Sequence, residues 1–183
     1  GVDGRVVVKD GGGGWRKYSG GEVDESLFAS LPEEGVTLLV NGVDRHVPAV
    51  ADVADLFTMV PRWRVDDVQV SFSEREGAGV GPHADSYDVF LLQAGGRKRW
   101  RVSCDPRYAP ENEEAYVQGS EVAVLADFEA EAEAVLAPGD VLYVPPKVAH
   151  HGVSLEGGFT FSVGCLSPAV DELVASYMEA SVA

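Results

Sequence analysis

Cysteine is nearly missing from this chain: 183 residues hold two, Cys104 and Cys165, far apart in sequence. They form no CxxC pair and no disulfide framework, and with apolar neighbours both are expected as buried free thiols. Basic residues are scarce as well. Fourteen Lys and Arg face 30 Asp and Glu, a net charge of −16. That balance excludes the basic footprint a nucleic-acid backbone demands. It suits solubility, or a basic protein partner. No apolar run approaches the length of a membrane span, and no signal-peptide pattern opens the chain. Only four histidines are present: His46, His83, His150 and His151. The bulk composition is that of a globular protein, 45% hydrophobic and 24% charged, with length enough for one core.

The periodicity is mainly that of strands. Arg5 to Lys9 and Val36 to Val40 are β-like, and Gly1 to Val8 reads as a strand already under way, so the chain is expected to be a piece of a longer one. Between those runs, Gly11 to Gly14 is a loop, because it lacks the Lys-Ser/Thr and helix of a phosphate loop. Ala49 to Val60 carries Val53, Leu56, Phe57 and Val60 at helical spacing, and Pro61 ends it. From Val68 the period becomes two, with Val68, Val70 and Phe72 on one face and Asp67, Gln69, Ser71 and Ser73 on the other. Gly77, Gly79 and Gly81 form a loop with no helix after it, unlike a dinucleotide fingerprint. Tyr87 to Gln93 reads as a buried strand, Gly95-Gly96 as a hairpin turn and Arg97 to Val102 as the returning strand.

In that last strand Arg97, Arg99 and Arg101 alternate with Lys98, Trp100 and Val102. Three arginines mark the wet face, which turns Lys98 inward, where it needs an anion. Glu111 to Glu133 holds eight acidic residues and no basic one; it reads as a solvated connection with a short element near Val122 to Leu125. Val141 to Val144 and Phe159 to Gly164 are further strands. Ser167-Pro168 opens a helix whose Val170, Leu173, Val174, Tyr177 and Met178 form one stripe that needs a packing partner. Many short strands and two helices indicate an all-β barrel or jelly roll.

Chemistry concentrates at Gly81-Pro82-His83-Ala84-Asp85 and at the histidines after Pro145-Pro146. Alternate residues of an extended segment point the same way, so His83 and Asp85 can grip one ion. The third ligand falls to His150 or His151, and the register from Pro145-Pro146 favours His150. Two imidazoles and one carboxylate form a facial triad that leaves half of an octahedral ion open. An isolated H-x-D is a weak signal; joined to a later histidine after a Pro-Gly-Asp turn and a Tyr-x-Pro-Pro strand, it points to metal. His46, in a polar stretch, is expected at the surface.

Gly79 to Phe90, the Gly-Gly-Arg-Lys-Arg-Trp-Arg-Val run from Gly95, and Pro138 to Pro146 resemble the JmjC-type, cupin-fold 2-oxoglutarate oxygenases. More narrowly, with Asp66-Asp67 and Ser71-Phe72-Ser73, they resemble the ribosomal oxygenases of the bacterial type that hydroxylates an arginine of ribosomal protein uL16. The resemblance implies a double-stranded β-helix over residues 1–167, truncated at its N-terminal side. It implies that 168–183 begins a helical dimerisation region. It also implies Fe(II) on His83, Asp85 and His150, 2-oxoglutarate and O2 as cosubstrates, and Lys98 as the anchor of the far carboxylate. Lys98 stands where the bacterial arginine hydroxylases carry arginine, which is a departure. Ser71, Ser73, Thr160 and Ser162 are candidate cosubstrate contacts, and Tyr87 a candidate for the substrate cleft. The implied partner is a basic ribosomal protein, the implied setting the cytoplasm or an organelle of bacterial descent, and a homodimer is expected of the longer protein. Rival readings are ribosomal-protein histidine hydroxylation, lysine demethylation, or a metal-binding cupin without oxygenase activity.

Overall fold

Strand-forming runs of no more than nine residues, separated by turn residues, dictate short antiparallel ribbons. The computed structural model describes residues 3–9, 14–20, 23–166 and 170–182. Its strands are β1 (Gly4–Lys9), β2 (Trp15–Ser19), β3 (Val36–Val40), β4 (Val65–Ser73), β5 (His83–Ala84), β6 (Asp88–Gly95), β7 (Lys98–Ser103), β8 (Ala132–Leu136), β9 (Val141–Val144), β10 (Ala149–Ser154) and β11 (Gly158–Cys165). Helices are α1 (Glu25–Ser30), α2 (Pro48–Asp55) and α3 (Val170–Val182). One sheet runs β2-β1-β3-β4-β11-β6-β9 and the other β5-β10-β7-β8, and consecutive neighbours pair antiparallel. This is the jelly roll that the many short strands indicate. No described helix is long and apolar enough to cross a membrane.

The Gly95-Gly96 pair does not make the expected hairpin. β6 pairs with β11 and β9, whereas β7 pairs with β10 and β8 in the opposite sheet. The chain changes sheets here, and the glycines serve a backbone crossing. A Cβ on Gly96 would run into the Gly157 carbonyl, and one on Gly158 into the Gly95 carbonyl. Two strand-like runs joined by two glycines carry the same local pattern whether they pair or part. Gly158→Ala is expected to cost about 1–3 kcal/mol through overpacking. That corresponds to roughly 2–4 °C of melting temperature per kcal/mol, read by thermal unfolding; an unchanged melt would mean the crossing is loose.

Outside the larger sheet, α2 lays Val50 and Ala54, with Phe57 beyond its end, on Val68, Val163 and Cys165. The helix stops at Asp55, short of the expected Val60, and Leu56 is left 68% exposed. The Leu56 N–H closes the last turn on Val53 and Ala54. Between the sheets Val89, Leu91, Trp100, Leu136 and Val144 form a second cluster. Behind β5 and β10, Ala84 and Ala149 pack on Tyr108 and Leu125.

Further corrections are local. Cys104 is exposed, not buried, because it follows the end of β7; Cys165 is buried as expected. Arg101 is partly buried, because Phe128 and His151 cover its face of the strand. Near Val122 to Leu125 there is no strand, only an isolated bridge from Tyr116 to Leu125. The glycine run at 11–13 and the Ser167-Pro168 cap lie outside the described residues. Val170, Leu173, Val174, Tyr177 and Met178 on α3 are all exposed.

The interior is where the larger sheet departs from a simple core. Leu39, Ser71, Thr160 and Gln93 align across β3, β4, β11 and β6. Their side chains share one face because directly paired residues do. Thr160 is 1% exposed and Gln93 2%. A polar stripe therefore faces inward, and the apolar alternates of β4 and β11 face α2. The space so lined is a cavity of about 620 Å³.

Candidate metal centre

His83 opens β5 and sits directly opposite His150 of β10. This pairing brings the two rings to 4.3 Å between centroids. Asp85, next but one after His83, points its Oδ2 to 3.9 Å from His83 Nε2 and 3.7 Å from His150 Nε2. One ligand atom from each of the three lies within 4.8 Å of the others. The donor atoms are sorted by hydrogen bonds. His83 Nδ1 is 2.9 Å from the Gly81 carbonyl and His150 Nδ1 3.1 Å from the Val148 carbonyl. A carbonyl only accepts, so each Nδ1 carries the proton and each Nε2 presents a lone pair to the centre. Burial first, then the neighbouring His83, pushes the His150 imidazole down to about 3. It is therefore neutral and ready to ligate. Two neutral imidazoles and one carboxylate are the donor set that divalent iron and its neighbours take, and the residues fit such an ion.

Local backbone geometry holds the third ligand in place. Lys147 is, among the described residues, the one non-glycine position with positive φ, 67°. Its N–H donates to the Asp85 carbonyl at 2.7 Å. The strained turn thereby ties the His150 strand to the Asp85 segment. His151 points to the other face, where its Nδ1 is 2.7 Å from Arg101 and its ring meets Phe128 edge-on. The choice between the two histidines is thus set by the register of β10. His46 is exposed, as expected.

Across the cavity Lys98 is 5% exposed. Its Nζ has one weak partner, Ser71 Oγ at 3.5 Å, and lies 5.1 Å from the centre of the Trp100 ring. Burial pushes the ammonium down to about 8. The Trp100 indole N–H is buried with no partner at all. A poorly paired cation beside an orphaned donor costs stability unless an anion completes them. The residues therefore fit a carboxylate.

The remaining candidates divide. Ser71, Thr160 and Ser162 line the cavity, and Tyr87 lines it near its mouth. Thr160 Oγ1 donates to Gln93 Oε1 at 2.9 Å. Ser73 is not part of the cavity wall; it bonds the Thr37 hydroxyl at 3.2 Å. Sequence reasoning missed Gln93, whose signal was a polar residue continuing the inward register of Val89 and Leu91. It also missed Arg5, which lines the cavity from β1 and left no signal in its short strand. Asp66, Asp67 and Glu121 add an acidic rim.

A family model described as the JmjC domain matches residues 52–173, more than half of the chain. The chain belongs to the JmjC domain family. This JmjC chain is 35% identical over 97% of its length to the ribosomal protein uL16 3-hydroxylase of Escherichia coli, covering 45% of that protein. It is 31% identical over 94% of its length to a probable ribosomal oxygenase of Haemophilus influenzae, covering 41% of it. Among solved structures, it superposes with a TM-score of 0.78 and 35% identity on the E. coli ribosomal oxygenase YcfD in complex with cobalt and 2-oxoglutarate. That match covers 99% of this chain and 44% of the other. The JmjC chain thus spans under half the length of these relatives.

Proposed function

We propose that this chain is the catalytic domain of an Fe(II)- and 2-oxoglutarate-dependent protein hydroxylase. Its target would be an arginine of a uL16-type ribosomal protein. The observation that carries the reading is the pairing of two features in one cavity: the convergent His83, Asp85 and His150, and the nearly unpartnered Lys98. A metal-binding cupin of another kind has no use for a desolvated ammonium facing its metal. The relatives named for ribosomal oxygenation, one of them solved with cobalt and 2-oxoglutarate, support the same assignment.

His83, Asp85 and His150 would hold the iron. Bound iron with 2-oxoglutarate and O2 supplies the oxidising power that inserts one oxygen into a C–H bond, with succinate and CO2 as coproducts. The chain's own residues bind, orient and exclude water. Lys98 neutralises the far carboxylate of the dicarboxylate, with Ser71 beside it. Thr160 and Gln93 form a bonded pair in the same wall and keep it polar. Val89, Leu91 and Trp100 close the floor against solvent. At the rim Asp66 and Asp67 offer carboxylates to a cationic side chain, and the overall charge of −16 suits a basic partner. The helix α3, Val170–Val182, would form the start of a helical dimerisation region.

The test is incubation of the full-length protein with iron, 2-oxoglutarate and a uL16-type peptide, followed by mass spectrometry. A gain of one oxygen on the arginine supports the reading. Succinate formation without oxygen on that arginine, but with oxygen on a histidine of another ribosomal peptide, redirects it to histidine hydroxylation.

A further inference from the structure

Lys98 is not the sole cation facing the cavity. Arg5 enters from β1, and its position pairs with Leu39, which pairs with Ser71. It therefore stands in the same cross-strand row as the floor, two strands from Ser71, roughly 10 Å at the usual strand spacing. The guanidinium forms no hydrogen bond or ion pair with the described residues, and its Nε is buried without a partner. Asp67, a carboxylate of the same cavity wall, already accepts from the Gly42 N–H at 2.7 Å. Arg5 lines the same cavity as Asp67 and Tyr87. Lys17 of β2, paired with Val7, lines the same side of the cavity. Arg5 of β1 and Lys17 of β2 thus share the cavity with Asp67 of β4, while Glu121 accepts from the Lys17 N–H at 2.9 Å and Asp66 lies 3.8 Å from Arg45.

A buried guanidinium nitrogen without an acceptor destabilises the empty fold. A cleft that keeps one is built to receive the acceptor from outside. We propose that Arg5 is a second cationic subsite, distinct from Lys98, that donates to a carbonyl or carboxylate oxygen of the polypeptide flanking the target residue. The inference rests on the functional reading above and deepens it. A cationic side chain runs toward Asp66 and Asp67, while the adjoining stretch of chain lays an oxygen against Arg5. Two contacts of opposite sign, Arg5 and Asp67, fix the direction in which the peptide crosses the cavity. One acidic rim alone would accept either direction.

The experiment compares the parent full-length protein with Arg5→Gln and Arg5→Lys on a uL16-type peptide at saturating 2-oxoglutarate. Arg5→Gln is expected to raise the KM for peptide by about tenfold to a hundredfold, the loss of one charge-assisted hydrogen bond, with a far smaller change in kcat. Arg5→Lys recovers part of the loss as a point charge. The KM for 2-oxoglutarate and the melting temperature are read alongside. A peptide without acidic residues near the arginine separates the two oxygen sources. If that peptide keeps the Arg5 dependence, the acceptor is a main-chain carbonyl; if it loses it, an acidic side chain. An unchanged peptide KM in Arg5→Gln overturns the subsite. A fall in kcat matched by a fall in melting temperature makes Arg5 structural and overturns it too. Absence of peptide hydroxylation by the parent protein sinks the functional reading itself, and the subsite with it.

Discussion

Replacing Lys98 by methionine is expected to raise the KM for 2-oxoglutarate by roughly 30-fold to 5,000-fold, because a buried carboxylate loses its cation at a cost of about 2–5 kcal/mol. The same substitution is expected to raise the melting temperature of the ligand-free protein. Lys98 is 5% exposed with one 3.5 Å partner, so its charge is a burden on the empty fold. The pH dependence follows from the direction of its shift. Burial lowers the ammonium from 10.5 to about 8, so the unfolded chain holds that proton more tightly than the folded one. The cost to stability is therefore full below about pH 8 and shrinks as pH rises toward 10.5. Binding runs the other way. Above pH 8 the free protein loses the charge that the dicarboxylate needs, and affinity for 2-oxoglutarate falls by up to about tenfold per pH unit. Lys98→Arg is expected to remove that fall, since guanidinium stays charged. Binding isotherms from pH 7 to 9.5 decide the matter; a flat profile in the parent protein contradicts the role given to Lys98.

Substitution of His83 or Asp85 by alanine is expected to abolish succinate formation. The effect should exceed the roughly 10-fold to 100-fold that losing an outer hydrogen-bond partner of a metal ligand costs. Each ligand atom here lies within 4.8 Å of the other two, so removing one leaves a bidentate remnant. His151→Ala is the contrast. Its ring faces Arg101 and Phe128 on the opposite side of β10, so succinate formation is expected to persist. Equal loss in His83→Ala and His151→Ala would mean that the ligand set is misassigned. Coupled assay of succinate, with metal content measured in each variant, separates lost chemistry from lost metal.

Much of this site was legible before any coordinates, for identifiable reasons. His83 and Asp85 are two apart, and alternation in an extended segment is a rule of backbone geometry. Lys98 was turned inward by the three arginines around it, and two of those, Arg97 and Arg99, do face solvent. Long-range pairing was not legible. Nothing local to Gly95-Gly96 says whether β6 and β7 join or part, because the deciding neighbours, Gly157 and Gly158, are some sixty residues away. The polar alternates of β4 were legible as a face but not as an inside one. Period two assigns residues to faces; only the second sheet and α2 decide that Ser71 lines a cavity while Val68 is buried beneath a helix. Arg5 was invisible for the same reason. A single arginine in a five-residue run looks like solvent-facing charge until Leu39 and Ser71 are placed beside it.

The most direct test is a crystal structure of the protein with Mn(II) and a non-reactive 2-oxoglutarate analogue. The ion is expected bound by Nε2 of His83, Nε2 of His150 and a carboxylate oxygen of Asp85, with the analogue's far carboxylate on Lys98 Nζ. An ion bound elsewhere, or an analogue whose far carboxylate lies away from Lys98, would contradict the account.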